Sequence, residues 1–141
     1  MKKVLLGSDH AGFDNKEYIK IVLEELQIPF EDVSPTFDAK DDYPDVAKKL
    51  SKQVVKEDSS GILLCGTGIG VSIAANKIKG IRAALVFDEK TAELAKSHNH
   101  ANILVLSGTL HKSKIKPILL NWFRTKKSLA ARHLRRLDKI D

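Results

Sequence analysis

Five short apolar runs alternate along the chain with stretches in which apolar residues recur every three or four positions. Parallel neighbouring strands need a crossover connection of helical length, and such connections are nearly always right-handed. The pattern therefore predicts an α/β fold with helices on both faces of a five-stranded parallel sheet. The predicted strands cover residues 2–7, 28–33, 60–65, 81–87 and 102–106, and a last helix covers 129–137.

No repeat, low-complexity segment or linker interrupts this alternation, so we expect a single domain over residues 1–141. A hydrophobic content of 43% and a charged content of 30% are typical of a globular protein. Neither a signal peptide nor a membrane-spanning run is visible, and we expect a cytoplasmic protein without a membrane partner. One cysteine cannot form an internal disulfide, and the other usual ligands lack zinc-like spacing, so we expect no metal.

The formal net charge of +6 comes from the end of the chain. Residues 124–141 hold seven Lys or Arg and two Asp, whereas residues 1–123 hold 17 basic and 16 acidic side chains. A basic tail suits nucleic acid, a solvated helix face or a phosphorylated small molecule equally well. Arg132, Arg135 and Arg136 lie on one side of the last predicted helix, and we expect no nucleic-acid partner.

The most distinctive stretch covers residues 63–76, where Cys65 ends the third predicted strand ahead of a glycine-rich turn and a helix. The N–H groups of such a turn and the N-terminus of the next helix hold anions and favour a thiolate. The carboxyl ends of strands are also where open α/β sheets hold their ligands. A small buried hydrophobic side chain is the plainer interpretation of Cys65.

Three known motifs do not fit the glycine turn. The Rossmann fingerprint places G-x-G-x-x-G after the first strand, whereas here Gly66, Gly68 and Gly70 alternate after the third. A Walker loop ends in Gly-Lys-Ser or Gly-Lys-Thr, and this turn lacks the lysine. A cysteine phosphatase of the C-x5-R type would need an arginine where Val71 stands.

Polar side chains also accompany the other predicted strands. Asp9 and His10 follow the first strand, Thr67 lies beyond the third, and His98 and Asn99 come just before the fifth. We expect all of them at the carboxyl edge of the sheet, together with the cysteine. The plainer alternatives are a helix cap for Asp9, a surface loop for His10 and a helix-end position for His98.

Seven segments that span almost the whole chain in order closely resemble ribose-5-phosphate isomerase type B, whose wider family includes galactose-6-phosphate and allose-6-phosphate isomerases. They are residues 7–12, 42–44, 61–70, 72–77, 80–84, 98–99 and 132–133. The cysteine-glycine turn is the most specific of them. The resemblance implies a three-layer α/β/α sandwich around a five-stranded parallel, Rossmann-like sheet, in agreement with the apolar pattern.

The resemblance implies a cofactor-independent interconversion of ribose 5-phosphate and ribulose 5-phosphate through an enediolate, in the non-oxidative branch of the pentose phosphate pathway. It makes Cys65 the base that moves the proton between C1 and C2, and His98 the group that assists ring opening. Such a shift needs a base and oxyanion donors but no redox cofactor. The other implied contacts are Thr67 and the amides of Gly66, Gly68, Ile69 and Gly70 for the enediolate oxygen, Asp9 and Asn99 for sugar hydroxyls, and His10, Arg132 and Arg136 for the phosphate.

The resemblance further implies a homodimer, or a dimer of dimers, with shared active sites in which Cys65 of one chain works with His98 of the other. The tail after Phe123 agrees with this expectation, because it is too polar to pack as a core element on its own chain. Where many members have an arginine after the fifth strand, this chain has Ser-Gly-Thr-Leu-His, so one phosphate or substrate contact is either missing or supplied by His111 or Lys112.

Two alternatives to a ribose-5-phosphate isomerase stay open from the sequence. A hexose-6-phosphate isomerase, acting on allose or galactose 6-phosphate, would use the same site, because one extra carbon changes the length of the pocket and leaves the proton transfer unchanged. A non-catalytic sugar-phosphate-binding protein would need the phosphate contacts but no thiolate. Retention of Cys65, Thr67 and His98 together argues against that second alternative.

Overall fold

The structure, a computed structural model, describes residues 2–141, in which strands alternate with helices as the apolar pattern predicts. The strands are β1 (Val4–Ser8), β2 (Phe30–Asp32), β3 (Ser60–Cys65), β4 (Ala83–Leu85) and β5 (Ile103–Ser107). The helices are α1 (Phe13–Glu25), α2 (Tyr43–Glu57), α3 (Ile69–Asn76), α4 (Glu89–Ser97), α5 (Lys112–Arg124) and α6 (Ala131–Asp138), with a 3-10 turn (His10–Gly12) before α1. Within this range no helix combines the length and the apolar character needed to cross a bilayer.

The strands form one parallel sheet in the order β2-β1-β3-β5-β4, which confirms the predicted architecture. β3 lies at the centre, where Gly61 pairs with Leu5 on one side and Ile103 on the other. β2 and β4 are edge strands with one neighbour each. The strands predicted over 28–33 and 81–87 are therefore shorter in the structure, because an edge strand lacks a second ladder to extend it.

Helices cover both faces of the sheet. Ile62 and Leu64 of β3 pack among residues of α1, α4 and α5, which include Trp122 at 1% exposure. Leu63 and Cys65 point to the other face and pack against α2 and α3. Since both faces are buried, the central strands are apolar throughout instead of alternating with polar residues. The three-layer α/β/α sandwich is thus confirmed.

Local sequence sets the helix ends. The carboxylate of Asp88 accepts the N–H of Thr91 at 2.7 Å, and the hydroxyl of Thr91 accepts the N–H of Asp88 at 3.3 Å, a reciprocal cap at the start of α4. Pro44 lies in the first turn of α2, where its missing N–H removes no helical hydrogen bond. α3 begins at Ile69, because the glycine turn closes directly into the helix.

The C-terminal helix α6 docks on its own chain, so the expectation that the tail is too polar to do so is wrong. His133 and Leu137, one turn apart, are both buried. The tail also reaches the amino edge of the sheet, where the carboxylate of Asp141 pairs with Arg82. One narrow buried stripe is enough to fix a helix whose other positions are exposed.

Candidate active site

Cys65 ends β3 at the carboxyl edge of the sheet and is 5% exposed. The turn over residues 66–68 leads directly into the N-terminus of α3. The N–H of Gly68 donates to Sγ of Cys65 at 3.2 Å. A helix N-terminus and an N–H donor both favour a thiolate over a thiol. The sulfur of Cys65 therefore accepts a backbone hydrogen bond at the start of a helix.

The glycine turn is packed so closely that two of its positions leave no room for a side chain. Gly68 has a φ of +81°, and a Cβ on Gly70 would lie 2.5 Å from the ring of Tyr43. The hydroxyl of Thr67 accepts the N–H of Ile69 at 3.1 Å. The amides of Gly68 and Ile69 thus already have partners within the turn, and a substrate oxygen would have to share these donors.

The carboxyl end of β1 brings Asp9 and His10 to the same edge as the cysteine. Asp9 is 6% exposed and its Oδ1 accepts the N–H of Gly12 at 3.0 Å, so it caps the 3-10 turn. Nδ1 of His10 lies 2.7 Å from Oδ1 of Asp41, on the loop before α2. This hydrogen bond raises the pKa of His10, and a protonated imidazole suits a phosphate dianion.

Asp9, His10 and Asp41 also bring ligand atoms within 4.8 Å of one another, a spacing that a divalent cation could use. The same atoms have other partners. The Oδ1 atom of Asp41 accepts the backbone N–H of His10 at 3.0 Å besides contacting its ring, and Asp9 holds the 3-10 turn. These hydrogen bonds are sufficient to explain why the three side chains lie close together. We therefore infer that Asp9 and Asp41 hold His10 in position.

The loop after β5 is held against the glycine turn by residues that the sequence pattern does not predict. Oγ of Ser107 donates to the carbonyl of Gly66 at 2.7 Å, and the N–H of Gly108 donates to the cysteine carbonyl at 2.8 Å. Nδ2 of the buried Asn15 lies 3.0–3.1 Å from three carbonyl oxygens of residues 107–110. A polar residue on the apolar face of a predicted helix is the signal that marks Asn15.

His111 and Lys112, the expected replacements for the arginine after the fifth strand, both serve the start of α5. Nδ1 of His111 accepts the N–H of Ser113 at 3.2 Å and so caps the helix. Nζ of Lys112 lies 5.6 Å from the ring centroid of Tyr18. Local contacts therefore explain both side chains, and a substrate contact from either one stays a prediction.

His98 and Asn99 lie at the opposite edge of the sheet, so the expectation that they join the cysteine at the carboxyl edge is wrong. They follow α4 and precede β5, and the residues before a strand lie at its amino end. Cys65 pairs with Ser107 at the other end of β5. The four steps from Ile103 to Ser107 span roughly 13 Å along the strand.

His98 packs against α6. Its ring stacks on that of His133, with centroids 4.1 Å apart. Burial, followed by the neighbouring ring of His98 and the charges of Arg132 and Arg136, lowers the pKa of His133. Both arginines are exposed and lie one turn apart on α6. Asn99, which follows His98 after the end of α4, is exposed as well. The amino edge thus gathers its own set of polar and basic side chains.

The predicted site residues therefore fall into two groups within one chain. The carboxyl-edge group consists of Asp9, His10, Cys65, Thr67 and the glycine turn over residues 66–70. The amino-edge group consists of His98, Asn99, Arg132 and Arg136. The sheet separates the two groups, so one chain by itself does not bring the cysteine and His98 together.

The chain matches the model of the Ribose/Galactose Isomerase family over residues 4–140. It belongs to this family. A relative in Mycoplasma genitalium, the probable ribose-5-phosphate isomerase B, is 43% identical over 140 residues, which is 97% of this chain and 92% of the relative. The ribose-5-phosphate isomerase B of Mycolicibacterium paratuberculosis is 40% identical over 139 residues, 96% of this chain and 87% of the relative. The family resemblance of the seven segments is thereby confirmed.

Solved structures of the Ribose/Galactose Isomerase family share the fold described above. A ribose 5-phosphate isomerase from Thermotoga maritima has a TM-score of 0.93 and 44% identity, covering 99% of this chain and 97% of that one. The ribose-5-phosphate isomerase B of Mycoplasma genitalium, solved with bound ribulose-5-phosphate, has a TM-score of 0.91 and 43% identity, covering 98% and 93%. The agreement extends over the whole sheet and its helices.

Proposed function

We propose that this chain is a type B ribose-5-phosphate isomerase, which interconverts ribose 5-phosphate and ribulose 5-phosphate. The observation that carries the proposal is Cys65, which receives an N–H on its sulfur and is followed by a helix N-terminus. Membership of the family and the identity to named ribose-5-phosphate isomerases support it. Binding alone needs no thiolate, which argues against a non-catalytic sugar-phosphate-binding protein.

In this proposal the thiolate of Cys65 is the general base. It takes the proton from C2 of the open-chain aldose, and the electrons of the broken C–H bond form the enediolate. The thiol then returns a proton to C1, while the hydroxyl proton passes from O2 to O1. No electrons leave the substrate, so the reaction needs no redox cofactor. Thr67 and the turn amides would stabilise the charged oxygen.

The amino-edge group would open the sugar ring, and it would bind the sugar hydroxyls and the phosphate together with Asp9 and His10 of the carboxyl-edge group. His98 would transfer the proton that ring opening requires, and Asn99 and Asp9 would bind sugar hydroxyls. The raised pKa of His10 and the exposed guanidinium groups of Arg132 and Arg136 suit a phosphate dianion. These roles are the ones that the family resemblance implies.

We further propose that each active site is shared between two chains of a homodimer. The two groups lie at opposite edges of one chain, so Cys65 and His98 act on one substrate only if the carboxyl edge of one subunit faces the amino edge of its partner. Exposed apolar side chains beside the glycine turn, Tyr43, Ile69 and Ile73, support such a contact. Assembly into a dimer of dimers stays a prediction.

The proposed substrate assigns the enzyme to the non-oxidative branch of the pentose phosphate pathway, as one catalytic domain over residues 1–141. The cytoplasmic location stays a prediction from the sequence. A hexose-6-phosphate isomerase is the second candidate, because the matching family model covers both ribose and galactose isomerases. The proton transfer at Cys65 would be the same for a hexose, and only the pocket length would differ.

Coupled assays of the purified protein on ribose, allose and galactose phosphates, without added metal, test the proposal. We expect kcat/KM for ribose 5-phosphate to exceed the other two values by about tenfold or more, since a misfitted carbon costs roughly 1–3 kcal/mol. A higher kcat/KM for either hexose phosphate would reassign the substrate. Retained binding of all three sugars without turnover would make the protein a sugar-phosphate-binding protein.

A further inference from the structure

A cleft lies at the amino edge of the sheet, between the start of β1, the start of β3 and the end of α5. Its volume is about 520 Å³. Val4, Ala101 and Phe123 form an apolar wall. The basic side chains around it are Lys2, Arg82, Lys96, His100 and Lys127. None of these residues belongs to the carboxyl-edge or amino-edge group, although His100 also faces His133, which stacks on His98 of the amino-edge group.

Two of the cations in this cleft are already neutralised by carboxylates. Nζ of Lys2 lies 3.2 Å from Oδ2 of Asp58, and the guanidinium of Arg82 pairs with Asp141. Both acidic partners are exposed. Lys96 and Lys127 are the lysines of the cleft that these two pairs do not involve.

Lys96 and Lys127 form no ion pair with any residue of the described range 2–141. Nζ of Lys96 lies 4.6 Å from the ring centroid of the buried Trp122. Burial, and then the positive charge of Lys127, lowers the pKa of Lys96. Lys96 is therefore partly desolvated and lies near the positive charge of Lys127, which is itself exposed, and a bound anion would offset the repulsion between them.

Two hydrogen-bonding groups of the same cleft are buried without a partner. Nε of Arg82 and Oγ of Ser59 make no hydrogen bond within residues 2–141. Nε is a donor only, and a hydroxyl can donate to any acceptor. Buried polar groups are nearly always satisfied in native proteins. Both atoms are inaccessible from the cleft in this conformation, so a negatively charged ligand rich in acceptors would pair with the two lysines directly and with Arg82 and Ser59 once their side chains turn towards it.

We propose that this amino-edge cleft binds the phosphate group of a small molecule, with Lys96, Lys127, Arg82 and Ser59 as its contacts. A phosphate carries close to two negative charges and three acceptor oxygens, which matches two lysines and two donors. The cleft is larger than a phosphate ion alone requires, and its apolar wall at Phe123 suits an attached organic group. The proposal does not depend on the isomerase activity.

Titration of the full-length protein, followed through backbone amide NMR signals, tests this site. Arg136→Ala serves as the background, because it weakens the phosphate contact proposed for the isomerase site. The probes are inorganic phosphate and adenosine 5′-monophosphate. We expect saturable shifts of the amides of Ser60, Asn102 and Lys127, and phosphate should raise the pKa of Lys96. If adenosine 5′-monophosphate binds more tightly than inorganic phosphate, the apolar wall contacts the organic part of the ligand. If the two bind equally, the cleft recognises the phosphate ion alone.

Lys127→Gln should weaken this binding by about tenfold or more, as expected for the loss of a charge-assisted contact. Lys126→Gln is the matched control, because it removes the same charge from the neighbouring exposed residue, which does not line the cleft. Lys96→Gln should act like Lys127→Gln. Equal affinities of the Lys126 and Lys127 variants, or the absence of saturable shifts in the background protein, would overturn the proposal.

Discussion

The imidazole rings of His98 and His133 lie nearly parallel, with centroids 4.1 Å apart and 20° between their planes. His98 follows the end of α4 and His133 lies in α6, so the stack joins the two elements at the amino edge of the sheet. Nε2 of His133 is buried and has no hydrogen-bond partner in the part of the chain that the structure covers. Burial, then the neighbouring His98 and the charges of Arg132 and Arg136, disfavour a proton on His133 and so lower its pKa.

We therefore expect acid to loosen α6. The folded-state pKa of His133 lies below the ordinary value of 6.5, so the unfolded chain binds the proton more readily. This contribution to stability is complete above about pH 6.5 and is lost as the pH falls through the lowered pKa. NMR titration of the ring should give a midpoint below that of an unfolded histidine. The free energy of unfolding should fall from about pH 7.5 to about pH 5.

His133→Phe provides the control, because it keeps an aromatic ring against His98 and removes the titrating group. Its free energy of unfolding should depend less on pH than that of the parent. The other groups that face this ring are Arg132, Arg136 and His100, and they are unchanged in the variant. The same pH dependence in both proteins would contradict the assignment to His133.

Cys65→Ser should abolish turnover while sparing substrate binding. An alcohol is a far weaker acid than a thiol, so serine cannot supply the base, and losing a general base costs about 10²–10⁴-fold in kcat. Calorimetric titration with ribose 5-phosphate should give an affinity close to that of the parent. If kcat stays within about tenfold of the parent, the base lies elsewhere.

Arg136→Ala should raise KM by about ten- to a hundredfold, because a charge-assisted contact with the phosphate is worth roughly 1.5–3 kcal/mol. Arg135→Ala is the matched control. Arg135 is exposed on the same helix but, unlike Arg132 and Arg136, does not act on His133. In steady-state kinetics, Arg136→Ala should therefore have a higher KM than Arg135→Ala, whereas kcat should be similar in the two variants. Equal effects would show that only the net charge of the tail matters.

Lys16→Met should lower the free energy of unfolding by about 3 kcal/mol, the usual loss when one partner of a buried ion pair is removed. The side chain of Lys16 is fully buried, and its Nζ lies 2.6 Å from Asp32 and 2.7 Å from the carbonyl of Ser34. Lys20→Met is the control, because Lys20 contacts Asp32 at 2.6 Å from a side chain that is 22% exposed. It should lose about 1 kcal/mol or less in urea unfolding.

An equal loss of unfolding free energy in the two lysine variants would show that burial does not decide the strength of these ion pairs.

The contacts of Lys16 with Asp32 and Ser34 also support the carboxyl edge of the sheet. Oγ of Ser34 accepts the N–H of Ser8 at 2.9 Å, directly before Asp9. Lys16→Met should therefore shift the amide NMR signals of Asp9 more than Lys20→Met does.

Sequence predicts those parts of this protein that local chemistry determines. The strand over residues 60–65 has the predicted bounds, and Cys65 lies at the carboxyl edge ahead of a helix, because an apolar run and a glycine turn specify both. The cap formed by Asp9 is likewise local. The position of His98 is set instead by the connection from β4 through α4 to β5. A helix that links two parallel strands ends at the amino edge of the sheet, so His98 lies there and not at the carboxyl edge.

The parts that escape prediction rest on contacts distant in the chain. Asn15 holds the loop over residues 107–110, and nothing near it in sequence shows that three carbonyl groups need a donor. The docking of α6 depends on the stacking of His133 on His98, which lies 35 residues earlier in the chain. A pattern of polar and apolar residues records which side chains are buried, but it does not record their partners.

The last prediction concerns the partner subunit. Cys65 and His98 lie at opposite edges of one sheet, so a shared site requires them to come from different chains. Cys65→Ala and His98→Ala each inactivate or impair both sites of a homodimer. In a mixed dimer of the two variants, one site carries both lesions and the other carries neither. The mixture should therefore regain activity that neither variant has alone.

Random exchange makes about half of the dimers mixed, and about half of the sites in those dimers are whole, so activity should rise towards about a quarter of the parent value. Mass spectrometry of isotope-labelled subunits establishes that exchange has occurred. The double variant Cys65→Ala/His98→Ala, mixed with the parent, is the matched control. In those mixed dimers one lesion falls in each shared site, so activity should drop below the value for simple dilution. If subunits of the two single variants exchange fully and no activity returns, Cys65 and His98 act within one chain and the proposal of a shared site is wrong.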